Sequence, residues 1–293
     1  MKVGFIGAGV MGEAIIDHLM NAGHELTIYS RTKHKADWLL AKGAVWAESP
    51  ASLADMCDCL FTMVGYPSEV ADVYFGEKGI FDTDIRGKLC VDLTTSTPSL
   101  AQRIFKQAQS KGAEALDAPV SGGDIGARKG TLTVMVGGKR KAYQQVSSLL
   151  DVFALHHMLH GPAGSGQHVK MANQIMVAGT MTGLTEMLIY ADKAGLDREK
   201  VIQTLSGGAA ANWSLVNYGP RILAEDYSAG FFVKHFVKDL KIALDEAERM
   251  ELSLPATEKA SELYHLLMEK GYGEEGTQSL IHLWERGIGP EGL

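Results

Sequence analysis

Directly behind the apolar run Val3-Gly4-Phe5-Ile6 the chain reads Gly7-Ala8-Gly9-Val10-Met11-Gly12, and an amphipathic stretch follows. Few arrangements restrict a fold so closely. The first glycine permits a tight strand-to-helix turn, the second lets a phosphate approach the backbone, and the third lets the helix pack closely on its sheet. The helix N-terminus then offers N–H groups and a favourable dipole to an anion. A glycine-rich turn without a ligand could read the same way, but the strand before it and the helix after it make the dinucleotide reading the stronger one.

The rest of the first half agrees with that start. Short apolar runs at 2–6, 26–29, 59–63, 89–93 and 113–118 are separated by stretches long enough for crossover helices, which predicts an α/β, Rossmann-type domain with a doubly wound, mostly parallel sheet. Runs at 132–137 and 154–160 read as further strands, with a helix over 139–150 between them. After Gly166 the strand signals stop and helical periods take over at 167–194, 198–205, 214–224, 234–250 and 255–270. The expected organisation is therefore a dinucleotide-binding domain over 1–164 and an all-α domain over 165–293, joined by a long helix.

Near the start of that helix one cation, Lys170, precedes a segment that is apolar on every side from Met171 to Leu184, the pattern of a buried helix. Helical spacing puts Asn173 and Gln174 on its face. A first-turn lysine can also snorkel into water along its own stem.

Composition excludes several classes. The 293 residues are 46% hydrophobic and 22% charged, enough for a sizeable core and too apolar for disorder. A net charge of -7, with no long basic run, argues against a nucleic-acid surface. No run approaches the ~20 apolar residues of a membrane span, and glycines together with Glu13 interrupt the N-terminal run where a secretory signal would be continuous. Three cysteines, Cys57, Cys59 and Cys90, are an odd number and suit a reducing cytoplasm better than a disulfide framework. His156, His157 and His160 lie close together without companion carboxylates or thiols, so no metal site is expected.

About 20 residues beyond the glycine turn, where an NAD site would show an acidic residue, the chain reads Tyr29-Ser30-Arg31-Thr32. A guanidinium between hydroxyls suits a ribose 2'-phosphate, with Lys33 and Lys35 adding field, so NADP is the expected cofactor and NAD the alternative. Asp117-Ala118-Pro119-Val120-Ser121-Gly122-Gly123 runs off the carboxyl end of a strand, the edge where such sheets bind ligands. Its hydroxyl and open backbone N–H groups suit a carboxylate, though a plain turn would also use Ser-Gly-Gly. Trp213, Tyr218, Phe231 and Phe232 read equally as pocket, core or subunit interface.

Taken in order, GFIGAGVMG, DAPVSGG, the Gly164–Asn173 pattern GxGxxxKxxN and Lys238-Asp239-Leu240 resemble the β-hydroxyacid dehydrogenase family of 3-hydroxyisobutyrate dehydrogenases, tartronate semialdehyde reductases and related short-chain semialdehyde reductases, over essentially the whole chain. The resemblance implies Lys170 as the catalytic acid/base and Ser121, Gly122 and Gly123 as holders of a substrate carboxylate. Asn173 would orient the substrate, and Asp239 would contact it beside Lys238, which closes over the cofactor. Met63, Val64 and Thr95 would lie on the nicotinamide side. Many members carry two asparagines after the lysine whereas this chain has Asn173 then Gln174, so either amide could meet substrate. The implied reaction is hydride transfer between NADP(H) and a small 3-hydroxy acid or its semialdehyde, in a homodimer or homotetramer associating through the helical domain. Two other readings are a non-catalytic NADP(H)-binding protein and an oxidative decarboxylase of a larger sugar acid, the latter disfavoured by the short helical domain.

Overall fold

The computed structural model describes residues 1–289. The chain divides into two compact units, Met1–Lys170 and Met171–Leu293, and the division falls within the long helix Ser165–Lys193.

The first unit contains strands β1 (Val3–Ile6), β2 (Leu26–Tyr29), β3 (Val45–Trp46), β4 (Cys59–Thr62), β5 (Leu89–Asp92), β6 (Glu114–Asp117), β7 (Val120–Ser121), β8 (Leu132–Gly138) and β9 (Ala154–Gly161). They form one sheet in the order β3-β2-β1-β4-β5-β6-β8-β7, with β9 paired to β8. From β3 to β6 every pairing is parallel. β1, β4 and β5 are buried at every residue, which is why they read as continuous apolar runs: helices cover both faces. Val3 and Phe5 enter one core with Cys59 and Phe61, while Ile6 and Leu60 enter the core on the other face. The strand order reverses at β1, the point where an open α/β sheet leaves a crevice beyond its carboxyl ends.

β8 runs antiparallel to both β6 and β7. The apolar run of β8 was legible, but its direction was not. Only the seven-residue helix Gly123–Lys129 lies between β7 and β8, and a parallel return needs a crossover of a dozen or more residues. All three cysteines are buried and free, and burial pushes the Cys90 thiol up to about 12.

The second unit is helical among its described residues. Met181, Leu184 and Leu188 of the long helix pack with Phe236, Leu240, Tyr264 and Leu280, and Phe236 meets Tyr264 edge-on at 4.7 Å. Tyr218 belongs to this core, and the partly exposed Trp213 stands edge-on to it. The short helical turns Thr277–Ile281 and His282–Glu285 lie beyond the segments expected from the sequence. Along one side of the long helix, Ala172, Met176, Gly179, Gly183, Glu186 and Tyr190 are exposed; Met176 is 68% and Tyr190 74% accessible. The helix that reads as apolar all round from Met171 to Leu184 thus keeps one side that the described residues leave exposed.

Candidate active site

The three glycines of the first turn have three separate reasons to be glycine. Gly7 has φ +107°, and a Cβ there would stand 2.0 Å from the Met63 carbonyl oxygen. A Cβ on Gly12 would stand 2.0 Å from the Gly7 carbonyl oxygen, so the helix Val10–Asn21 could not pack as it does. A Cβ on Gly9 would meet nothing within 4 Å. The open side is therefore at the helix N-terminus, where a pyrophosphate would approach N–H groups, and the turn fits a dinucleotide.

Beyond β2, Ser30 and Thr32 are half-buried and Arg31 is exposed. Arg31 Nη1 pairs with Glu69 Oε1 at 2.7 Å, and Glu69 Oε2 accepts the Gly65 N–H at 2.8 Å. Lys33 instead lies 5.0 Å from the Trp46 ring centroid.

Three further loops leave the carboxyl ends of β4, β5 and β6. Met63 and Val64 follow β4 and are half-buried. The Val64 N–H donates to Thr94 Oγ1 at 3.1 Å, and the Thr94 N–H donates to Asp92 Oδ1 at 3.0 Å. Thr95 is half-buried between buried Thr94 and Ser96. Asp117 ends β6, and its carboxylate accepts the backbone N–H groups of Gly164 at 2.8 Å and Gln167 at 2.9 Å. Burial raises its pKa against those backbone hydrogen bonds, which lower it. Half-buried Ser121, Gly122 and Gly123 come next. Lys170, one turn along the helix from Gln167, is only 6% exposed, so it does not escape into water.

In the second unit Asn173 Nδ2 donates to Gln174 Oε1 at 2.7 Å, and Gln174 Nε2 donates to Asp239 Oδ2 at 2.7 Å. Lys238 Nζ pairs with Asp239 Oδ1 at 3.0 Å. Gln174 and Asp239 are each 1% exposed. Asp239 Oδ2 thus faces Gln174 and Oδ1 faces Lys238, and of the two amides Asn173 is the half-buried one.

Residues 2–161 match the family described as the NAD binding domain of 6-phosphogluconate dehydrogenase, and residues 164–284 match that described as NAD-binding of NADP-dependent 3-hydroxyisobutyrate dehydrogenase. Over 286 residues the chain is 46% identical to a probable 3-hydroxyisobutyrate dehydrogenase-like protein of Arabidopsis thaliana, covering 97% of this chain and 85% of that one. It belongs to the β-hydroxyacid dehydrogenase family. A 2-hydroxy-3-oxopropionate reductase of Escherichia coli is 37% identical, with 97% of each chain covered. The crystal structure of a 3-hydroxyisobutyrate dehydrogenase from Salmonella typhimurium superposes with a TM-score of 0.88 at 26% identity, covering 97% of this chain and 100% of that one.

For a member of this family, the residues missed by motif reading are ones that hold the motifs in place, Glu69, Thr94 and Gln167; Gln174, read as one of two amides that could meet substrate, turns to Asp239. Gln167 could have been noticed as a polar side chain three residues before Lys170, where helical spacing puts it on the same face. Among the described residues no group of three His, Cys, Asp or Glu side chains could hold a metal ion. His157 instead bonds to the Tyr143 hydroxyl at 2.8 Å and to Asp151 at 2.9 Å.

Proposed function

We propose that this chain reversibly reduces a small semialdehyde acid to the corresponding 3-hydroxy acid with NADPH, Lys170 exchanging a proton with the carbonyl oxygen. The observation that carries the reading is a buried lysine, Lys170, on a helix start whose Gly164 and Gln167 bond to the end of β6 and to the loop after β5. When bound, the nicotinamide supplies or accepts the hydride. In reduction, negative charge grows on the carbonyl oxygen, and Lys170 stabilises it and delivers a proton, which it later recovers from solvent. Ser121 and the N–H groups of Gly122 and Gly123 are proposed to bind the carboxylate. Asn173 and Lys238 are proposed to contact substrate and cofactor respectively. Asp239 is proposed as the residue that positions Lys238 and Gln174. The relatives' names, 3-hydroxyisobutyrate, 2-hydroxy-3-oxopropionate and glyoxylate/succinic semialdehyde, share a carboxylate near an aldehyde or alcohol, which supports this substrate class.

The test is an activity panel of 3-hydroxyisobutyrate, glycerate, 4-hydroxybutyrate and their oxidised partners, plus glyoxylate, run with both cofactors. Turnover on at least one pair is expected. Tight NADPH binding without hydride transfer anywhere on the panel would favour the non-catalytic reading.

Cofactor choice rests on Arg31. Its exposed pair with Glu69 is worth at most about 1 kcal/mol, so a doubly charged 2'-phosphate can displace the carboxylate. Arg31→Ala should raise KM for NADPH about tenfold or more while changing KM for NADH little. Equal effects on both would remove Arg31 from phosphate recognition.

The uncovered side of the long helix supports a homodimer, or a tetramer of dimers, associating through the helical unit. Gly179 and Gly183 would let a second helix approach closely, while Met176 and Tyr190 supply apolar area. Light scattering at micromolar concentration should give at least twice 31.6 kDa; a mass near the monomer value would overturn this. The reduced, buried thiols suit a cytoplasmic location, and no described helix is long and apolar enough to cross a membrane.

A further inference from the structure

Gln167 is fully buried, and both ends of its carboxamide are bonded. Oε1 accepts the Ser96 N–H at 2.9 Å, and Nε2 donates to the Thr94 carbonyl at 2.8 Å. Its own N–H is held by Asp117 at 2.9 Å. One side chain thus closes both main-chain positions flanking Thr95, while the backbone beneath it is anchored to the end of β6. The approach is tight by construction. A Cβ on Gly137 would lie 2.5 Å from Asp117 Oδ1, and one on Gly166 would lie 2.3 Å from the Met135 carbonyl oxygen and 2.9 Å from Asp117 Oδ2. Only glycine at both places lets the helix start reach the carboxylate. Thr94 extends the connection through its side chain to the Val64 N–H.

Building on the hydride-transfer reading above, we propose that Gln167, seated by Asp117, is a positioning residue that locks the Thr94-Thr95-Ser96 loop to the turn bearing Lys170. Neither residue is a catalytic residue. The loop and the lysine would otherwise be placed by different strands and could drift independently. A misplacement of about 1 Å between proton donor and hydride donor costs on the order of a hundredfold in rate. The bonds lie within a buried frame, so little compensation by water is available when they are removed.

The experiment compares wild type, Gln167→Met, Gln167→Ala, Asp117→Asn and Lys170→Ala. Gln167→Met fills the space without making either bond, so it separates hydrogen bonding from packing and remains informative where the alanine or asparagine variant fails to fold. Expected for Gln167→Met is a fall in kcat of about ten- to a hundredfold with KM for NADPH within about threefold. A larger isotope effect with deuterated NADPH should accompany it. Hydrogen exchange gives a readout independent of turnover: the amides of residues 94–97 and 164–168 should exchange at least about tenfold faster than in wild type. Unchanged exchange at those amides, or a Gln167→Met enzyme with wild-type kcat and isotope effect, overturns the proposal. Absence of turnover in the wild type, or full activity of Lys170→Ala, would instead overturn the hydride-transfer reading, and the exchange measurement would still decide the latch.

Discussion

Lys170→Ala is expected to lower kcat by about a hundred- to ten-thousandfold, the range spanned by loss of a positioned general acid. NADPH binding, followed by its fluorescence, should survive, because the phosphate turn and Arg31 stand on other segments. Lys170 is 6% exposed, so truncation also leaves a gap in a packed region. Lys170→Met controls for that by keeping most of the stem, and it should be nearly as inactive as the alanine variant. Steady-state rates with the best substrate on the panel decide the matter. Activity within about tenfold of wild type, a barrier change of only ~1.4 kcal/mol, would take the proton-transfer role away from Lys170.

The second large effect separates two glycines only two residues apart. Gly7→Ala forces an L side chain into φ +107° and puts its Cβ 2.0 Å from the Met63 carbonyl oxygen. Left-handed strain of about 1–2 kcal/mol and overpacking of about 1–3 kcal/mol together predict a loss of roughly 2–5 kcal/mol. For a chain of this size that is a fall of roughly 10 °C in Tm. Gly9→Ala has neither penalty, since its φ is -83° and a Cβ there meets nothing within 4 Å. It should leave Tm unchanged and raise the Kd for NADPH about a hundredfold, by standing where the pyrophosphate must approach. Thermal unfolding without cofactor and an NADPH titration test both halves. A Gly9→Ala protein that binds NADPH normally would show that the dinucleotide does not lie against this turn.

Much of this architecture could be read from the chain because burial on both faces writes itself as apolar runs. β2 occupies the residues expected for it, and β1, β4 and β5 differ from their expected bounds by a single residue at one end. β3 and β7 escaped because two residues carry no period, and the direction of β8 escaped because it depends on the length of a connection. The division of labour among polar groups was legible only in part. Lys170 could be picked out because a lone cation ahead of an apolar helix is conspicuous. Arg31 could be picked out too, but Glu69, its partner 38 residues away, gives no local sign. Gln174 stands where many members carry a second asparagine and left open which amide meets substrate, yet its side chain bonds to Asp239, 65 residues on. Such pairings are set by tertiary approach, which no spacing along the chain encodes.

The frame around the helix start is built mostly from main-chain groups. The N–H groups of Val64, Thr94, Ser96, Gly164 and Gln167 and the carbonyl of Thr94 meet side chains of only Asp92, Thr94, Asp117 and Gln167. A backbone amide is supplied by any residue except proline. Away from Gly137, Gly164 and Gly166, where a side chain would clash or strain the backbone, mutational drift at neighbouring positions therefore leaves the frame's geometry intact. On the proposed role of the frame, a lineage carrying it could exchange the side chains proposed to meet the substrate, one at a time, without rebuilding the apparatus proposed to align proton and hydride, so the barrier to acquiring a new short-chain acid would be low. The same economy concentrates vulnerability: the frame hangs on four side chains and on the glycines at 137 and 166 that let them approach.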